Sequence, residues 1–291
     1  MILKDCRFFA STFIKLQTSG SVDGTEKTRF LAQNDELYIK TMHKIPEITL
    51  CFWIMKISAT TLGETAGDLM SMTLNIGYAV SSMILIGVFV IALVLQLLSK
   101  TYNPLLYWSV ILLTSTAGTT MSDYMDRTLK LGYTKGALIL FTILMMIFGL
   151  WRLMRCSFAV EKIATFKAEC LFWTAILFSN TLGTALGDFL ADDSGLGFRE
   201  SALLIASLLA LIALSKFFTR ISSTFLFWAA FVLTRPFGAT MGDSLTKSPA
   251  QGGLGFGTMG SSAVLAAILL IFIYFQYREI NKKGQPIKAG R

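Results

Sequence analysis

The stretch FWIMKISATTLGETAGD, residues 52–68, decides the fold because three further versions of it follow along the chain. Each version opens on an aromatic residue and a tryptophan. A glycine follows ten residues after the tryptophan, and an aspartate follows five residues after the glycine. Constant spacing of this kind indicates one structural unit used several times. The other versions are YWSVILLTSTAGTTMSD (107–123), FWTAILFSNTLGTALGD (172–188) and FWAAFVLTRPFGATMGD (227–243).

A purely apolar stretch follows each version of the motif, and both kinds of segment have about the length of a membrane span. The sequence therefore predicts an all-α integral membrane protein with eight transmembrane helices, arranged as four hairpins. Because each repeat contributes two spans, the hairpins share one orientation and the pseudo-symmetry axis runs along the membrane normal. Two arrangements of the hairpins are consistent with the repeats. Either four hairpins surround one pseudo-fourfold axis, or two halves are related by a pseudo-twofold axis with a site between them. The motif spans are 48–68, 104–123, 169–188 and 224–243, and the apolar spans are 79–98, 136–151, 201–218 and 260–277.

The composition supports a membrane protein and excludes several classes of enzyme. The 291 residues are 54% hydrophobic and only 15% charged, whereas soluble domains average roughly 25% charged residues. The single histidine, His43, argues against most zinc hydrolases, and no nucleophile–base pair or metal triad is visible. The four cysteines form no CxxC pair, which favours reduced thiols. We therefore expect neither an enzyme nor a bound cofactor.

The distribution of lysine and arginine predicts the orientation. Twelve of these residues flank one side of the predicted spans and five flank the other, so the positive-inside rule places both termini in the cytoplasm. The net charge of +8 then reflects this bias and does not indicate a nucleic-acid partner. The phenylalanine/tyrosine–tryptophan pairs are interpreted as an aromatic belt at the inner interface. The predicted parts are a polar tail (1–44), a first membrane half (45–151), a basic linker (152–169), a second half (170–278) and a basic tail (279–291).

A polar stripe runs along each motif helix, because the positions four, seven and eight residues before the aspartate share its face. In lipid such a stripe faces the bundle interior or a water-filled cavity. Carboxylate, hydroxyl and amide oxygens favour Mg²⁺, Ca²⁺ or Mn²⁺, and Glu64 and the four aspartates are the candidate metal ligands. The alternative is that each aspartate caps its own helix end. The candidate substrate- or ion-binding residues are Glu64, Asp68, Asp123, Asp188, Asp243, Thr61, Asn180 and Arg235.

The motif also predicts charge pairing and close helix contacts. The acids outnumber the bases on these helices, so we expect Arg235 and Lys56 to pair with some of the carboxylates. Small residues four apart let helix backbones approach closely. The candidate packing glycines are Gly63, Gly67, Gly118, Gly183, Gly187, Gly238 and Gly242.

Repeat-specific residues carry a resemblance to a known family. They are Lys44-Ile45-Pro46-Glu47-Ile48-Thr49, Phe52-Trp53, Thr60-Thr61-Leu62-Gly63-Glu64-Thr65, Thr181-Leu182-Gly183-Thr184, Leu233-Thr234-Arg235-Pro236-Phe237-Gly238-Ala239 and Gly252-Gly253-Leu254-Gly255. Over residues 44–278 the chain resembles the bacterial four-repeat proteins described as membrane-anchored, whose repeat is of unknown function. The resemblance implies a multi-pass inner-membrane protein and brings no activity with it.

Three functions remain open at this point. The acidic stripe favours a transporter of a divalent cation (Mn²⁺, Mg²⁺ or Ca²⁺), with proton coupling. The alternatives are a proton-coupled transporter or exporter of a small organic substrate, and a non-transporting membrane anchor or sensor. The expected partners are the lipid bilayer and the transported species, and the sequence leaves open the substrate, the direction of transport and the oligomeric state.

Overall fold

A computed structural model describes residues 46–99, 101–155, 157–158, 163 and 165–283. Within these ranges the chain forms eight long α-helices and no β-strand. The predicted polar tail, the last part of the C-terminal tail and part of the basic linker lie outside the described residues. The helices are α1 Leu50–Asp68, α2 Tyr78–Leu98, α3 Pro104–Asp123, α4 Tyr133–Leu153, α5 Phe166–Asp188, α6 Phe198–Phe218, α7 Ser223–Thr246 and α8 Thr258–Lys283.

The ends of these helices follow from local sequence. The Thr49 and Thr165 side chains accept hydrogen bonds from backbone N–H groups in the first turns of α1 and α5, as N-cap residues do. In the first three repeats a single π-helical turn follows the motif aspartate, and a glycine with positive φ then begins the next helix. The fourth repeat differs, since α7 continues to Thr246 and a 3₁₀ turn, Pro249–Gln251, follows it. The π turns are Leu69–Thr73, Tyr124–Thr128 and Phe189–Asp193.

The four motif helices, α1, α3, α5 and α7, form a closed ring. Each packs against the next one along the chain, and α7 packs back against α1. This is the pseudo-fourfold arrangement of the two that the sequence left open. The ring places the equivalent positions of the four repeats around one axis.

The outer helices, α2, α4, α6 and α8, do not pack in the hairpins that the sequence predicted. Each packs mainly against the motif helix of the next repeat: α2 against α3, α4 against α5, α6 against α7, and α8 against α1. The π turn and the positive-φ glycine lie in the connection from each of the first three motif helices to its outer helix. The two helices of one repeat are therefore connected in sequence but belong to different packing pairs.

The outer helices give the molecule an apolar surface. Helices α2, α4, α6 and α8 and the segment Phe166–Asp193 are long and apolar enough to cross a membrane by length and composition. Outer-helix side chains such as Met83, Leu138 and Phe217 are exposed. Large apolar surfaces of this extent are typical of proteins in contact with lipid. The motif helices carry more polar residues, and these are buried inside the ring.

Glycines bring neighbouring motif helices close together. A Cβ atom added to Gly63 would overlap the Ser115 side chain on α3, and one added to Gly238 would lie 2.6 Å from Thr60 Oγ1 on α1. Gly118 and Gly183 make the corresponding approaches to α5 and α7. The same type of contact therefore recurs at all four interfaces of the ring.

We expect Gly63→Ala to lower the free energy of unfolding by about 1–3 kcal/mol, the usual cost of overpacking a close contact. The matched control is Gly87→Ala on α2, where an added Cβ meets no atom within 4 Å. That control should be neutral or slightly stabilising, because alanine favours helix more than glycine does. Denaturant unfolding of both variants in detergent would measure the difference, and equal values would argue against the close contact.

Candidate functional site

The buried interior of the ring is built in layers four residues apart, about 6 Å along each helix. Each layer takes one residue from each motif helix, and all of these residues are buried. The aromatic layer is Phe52, Tyr107, Phe172 and Phe227; the lysine layer is Lys56, Ile111, Ile176 and Phe231; the arginine layer is Thr60, Ser115, Asn180 and Arg235; the glutamate layer is Glu64, Thr119, Thr184 and Ala239; and the aspartate layer is Asp68, Asp123, Asp188 and Asp243.

Two basic side chains each bridge two of the four aspartates in the aspartate layer. Lys247 Nζ lies 3.1 Å from an Asp68 oxygen and 3.2 Å from an Asp243 oxygen. Arg127 Nε lies 3.1 Å from an Asp123 oxygen, and its Nη2 lies 3.9 Å from an Asp188 oxygen. All four motif aspartates therefore belong to one charged cluster at one end of the ring.

Arg127 and Lys247 are members of this cluster that were not among the residues predicted from sequence. Both are among the five basic residues counted on the less basic side of the spans, although each lies four residues after a motif aspartate and so shares its helix face. That spacing is the signal that could have identified them. Burial alone would lower the pKa of Lys247, but the Asp243 and Asp68 carboxylates outweigh burial and raise that pKa above its usual range.

Three carboxylates lie especially close together. Glu64, Asp188 and Asp243 each present one oxygen, these oxygens lie within 4.8 Å of one another, and all three residues are buried. They come from three different motif helices, so the closed ring brings them together. We call these three residues the carboxylate triad.

Arg235 joins the four motif helices just below the aspartate layer, where below means towards the aromatic layer at the other end of the ring. Its Nη1 donates to Glu64 Oε2 at 2.9 Å, and its Nη2 donates to Thr184 Oγ1 at 2.6 Å and also to Thr119 Oγ1. The guanidinium thus contacts the glutamate-layer residues of the other three helices. The small side chain of Ala239 occupies that layer on the helix of Arg235 itself.

Lys56 does not make the carboxylate pair that the sequence analysis expected. Its Nζ lies 3.9 Å from the centre of the Phe231 ring and has no hydrogen-bond partner among the described residues. The expectation was wrong because Lys56 lies eight residues before Glu64, about 12 Å lower along the helix. Arg235 occupies the layer between them and takes the contact with Glu64.

The remaining candidates lie below the triad. Asn180 is in the arginine layer, where its Nδ2 donates to Thr114 Oγ1 at 2.9 Å. Thr61 is buried, and its Oγ1 has no hydrogen-bond partner within the described part of the chain. Neither side chain contacts a triad carboxylate through the hydrogen bonds found among the described residues.

The aromatic pairs close the opposite end of the ring instead of forming an interfacial belt. Each phenylalanine or tyrosine of the aromatic layer packs against the tryptophan of a neighbouring repeat, with ring centres 5.6–6.0 Å apart. Trp108 and Trp173 are almost completely buried, which excludes the belt interpretation for them. The pairs are Phe52–Trp108, Tyr107–Trp173, Phe172–Trp228 and Phe227–Trp53.

Comparison with known proteins identifies the repeat. The family model described as "Repeat of Unknown Function (DUF347)" matches four times, at residues 51–102, 106–156, 171–222 and 226–279. Searches of curated proteins and of solved structures found no significant match. The matches cover most of the chain and confirm the four-repeat resemblance. The chain therefore belongs to the DUF347 repeat family.

Proposed function

We propose that the protein is a multi-pass membrane transporter that moves a divalent cation through the ring of motif helices, with the carboxylate triad as its binding site. One observation carries the proposal: three buried carboxylates from different helices place oxygens within 4.8 Å of one another. Carboxylates this close cannot all remain ionised without a compensating charge. Arg235, Lys247 and Arg127 supply part of that charge, and a bound cation or protons supply the rest.

The charge balance of the cluster supports the same conclusion. Glu64 and the four aspartates carry five negative charges, while Arg127, Arg235 and Lys247 carry three positive ones, leaving two negative charges. Buried excess charge is costly in a membrane protein. One divalent cation or two protons would remove it while all three bases stay in place, and a cation that displaces Lys247 would need one proton as well, so exchange of the cation for protons follows naturally.

The chemistry of the triad favours hard cations. Its ligands are all oxygen, which suits Mg²⁺, Ca²⁺ and Mn²⁺ better than soft metals such as Cu⁺. Oxygen ligands lie at about 2.0–2.6 Å from Mg²⁺ or Ca²⁺, so two ligands of one ion are at most about 4–5 Å apart. The spacing of the triad is compatible with one such ion.

Passage through the ring requires a second conformation. Below the triad, Arg235 joins all four motif helices, and the aromatic layer fills the far end. In the orientation predicted from the basic residues, both termini are cytoplasmic and the aspartate layer faces the outside. We propose that the cation enters from the aspartate layer and leaves after the ring opens below Glu64.

Flux into proteoliposomes tests this function. Purified full-length protein would be reconstituted with an interior dye for Mn²⁺, Mg²⁺ or Ca²⁺ and a second dye for pH. We expect saturable uptake of at least one cation, accompanied by counterflow of protons. Asp188→Asn, which removes one triad charge at constant size, should lower the flux at least tenfold.

The matched control is Asp193→Asn, in the π turn that follows Asp188, where the side chain is exposed. It removes the same charge outside the triad and should leave the flux unchanged. If folded protein moves none of the three ions, the cation proposal fails. A pH signal without cation flux would instead favour the aspartates as proton carriers for an organic substrate.

A further inference from the structure

We propose that Lys247 is a tethered competitor for the cation: its ammonium group occupies the acidic site when the site is empty, and the transported ion must displace it. This inference rests on the proposed function, because it assigns a regulator to the same site. It identifies the residue that sets the affinity for the ion.

The contacts of Lys247 are those of a bound cation. Its Nζ lies 3.1 Å from Asp68 Oδ2 and 3.2 Å from Asp243 Oδ1, so it neutralises part of the charge that an ion would neutralise. Asp243 also belongs to the triad. A divalent ion held by Asp243 and a lysine ammonium on the same carboxylate repel each other, so the two compete.

Lys247 is also positioned to leave the site. Its side chain is 17% exposed, whereas those of Asp68 and Asp243 are only 6% and 5% exposed. The ammonium group therefore reaches the carboxylates from the more exposed side of the aspartate layer. It can move towards solvent by rotation of its own side chain, without any movement of the motif helices.

The backbone at Lys247 is held in place by a loop found only in the fourth repeat. The Lys247 carbonyl accepts a hydrogen bond from Gly255 N–H at 2.9 Å, and its N–H donates to Asp243 O at 2.9 Å. A Cβ on Gly253 would overlap the Lys247 carbonyl, so the loop packs tightly against this residue. A fixed backbone with a long, partly exposed side chain suits a group that binds and withdraws repeatedly.

Arg127, the other bridging base, has a different place in the cluster. Its closest carboxylate is Asp123, which is outside the triad, and it approaches the triad only at 3.9 Å from Asp188. Its guanidinium also lies 5.9 Å from the centre of the Tyr133 ring. We therefore assign the competing role to Lys247 alone.

Direct measurement of Mn²⁺ binding to the purified full-length protein tests this inference. Titration calorimetry and electron paramagnetic resonance would follow binding to wild type and Lys247→Met. The variant keeps most of the length of the side chain and removes its charge. We expect the Kd for Mn²⁺ to fall about tenfold, and the half-saturating concentration for flux to fall with it.

Two further variants control for charge and folding. Lys135→Met removes the same charge from an exposed position in the first turn of α4 and should leave the Kd within twofold of wild type. Lys247→Gln keeps a hydrogen-bond donor for Asp68 without the charge, so it should tighten binding even if the methionine variant folds poorly. An unchanged or higher Kd in a folded Lys247 variant would overturn the inference and leave the proposed function standing. Binding by a Lys247 variant but not by wild type would support it, and absence of binding by every variant would overturn both proposals.

Discussion

Replacing Arg235 with methionine is expected to lower the free energy of unfolding by about 3–5 kcal/mol, the cost of leaving one member of a buried ion pair alone. The guanidinium is completely buried and pairs with Glu64 at 2.9 Å. It also donates to Thr119 and Thr184 and to the backbone carbonyl of Ser115. Removing it leaves the Glu64 carboxylate without its strongest partner.

A double variant separates charge from packing at this position. Arg235→Met combined with Glu64→Gln removes both charges, so it should recover much of the stability lost by Arg235→Met alone. Arg220→Met, at an exposed arginine before α7, should change stability by less than about 0.5 kcal/mol. Denaturant unfolding in detergent would measure all three variants. A double variant no more stable than Arg235→Met would show that the ion pair is not the source of the effect.

Replacing Trp108 with alanine is expected to cost about 3–5 kcal/mol, as for other large-to-small substitutions at buried aromatic residues. Trp108 is completely buried, and its ring centre lies 5.6 Å from that of Phe52 and 5.3 Å from that of Tyr107. Its Nε1 also donates to Gln276 at 3.1 Å, which ties α3 to α8. The substitution would therefore loosen both the ring and its contact with an outer helix.

Trp53 is the matched control because it occupies the same place in the first repeat. It packs against Phe52 and Phe227 but is only partly buried. Trp53→Ala removes an equal volume and should cost clearly less than Trp108→Ala. Unfolding monitored by circular dichroism would compare the two, and equal losses would contradict the difference in burial.

The motif helices could be predicted to within about three residues because the repeated spacing marks the same unit four times; α5 starts before its predicted span and α7 ends after it. The first predicted span, 48–68, compares with Leu50–Asp68 for α1, and the second, 104–123, coincides with α3. The outer helices were predicted to begin too late, at residue 136 for α4, which starts at Tyr133. Hydropathy counts only apolar residues and misses an amphipathic first turn such as Tyr133-Thr134-Lys135.

The neighbours of each helix could not be predicted in the same way. A helical pattern shows that Asp68 and Glu64 share a face, but it does not say which helix lies opposite. The pairing of Lys247 with Asp68 joins residues 179 positions apart and depends on closure of the ring. The error at Lys56 has the same origin, since a helical pattern alone does not show which charges of other helices lie in the same layer of the ring.

The packing of α8 against α1 also determines the order in which the molecule can be completed during synthesis. Of the described helices α1 is made first, but its neighbours α7 and α8 begin only at Ser223 and Thr258. Until α7 and α8 are made, α1 lacks two of its packing partners, and its charged residues Lys56, Glu64 and Asp68 lack the burial that those helices provide. The first repeat, which has the most charged residues within its motif (residues 52–68), therefore waits longest for its packing partners.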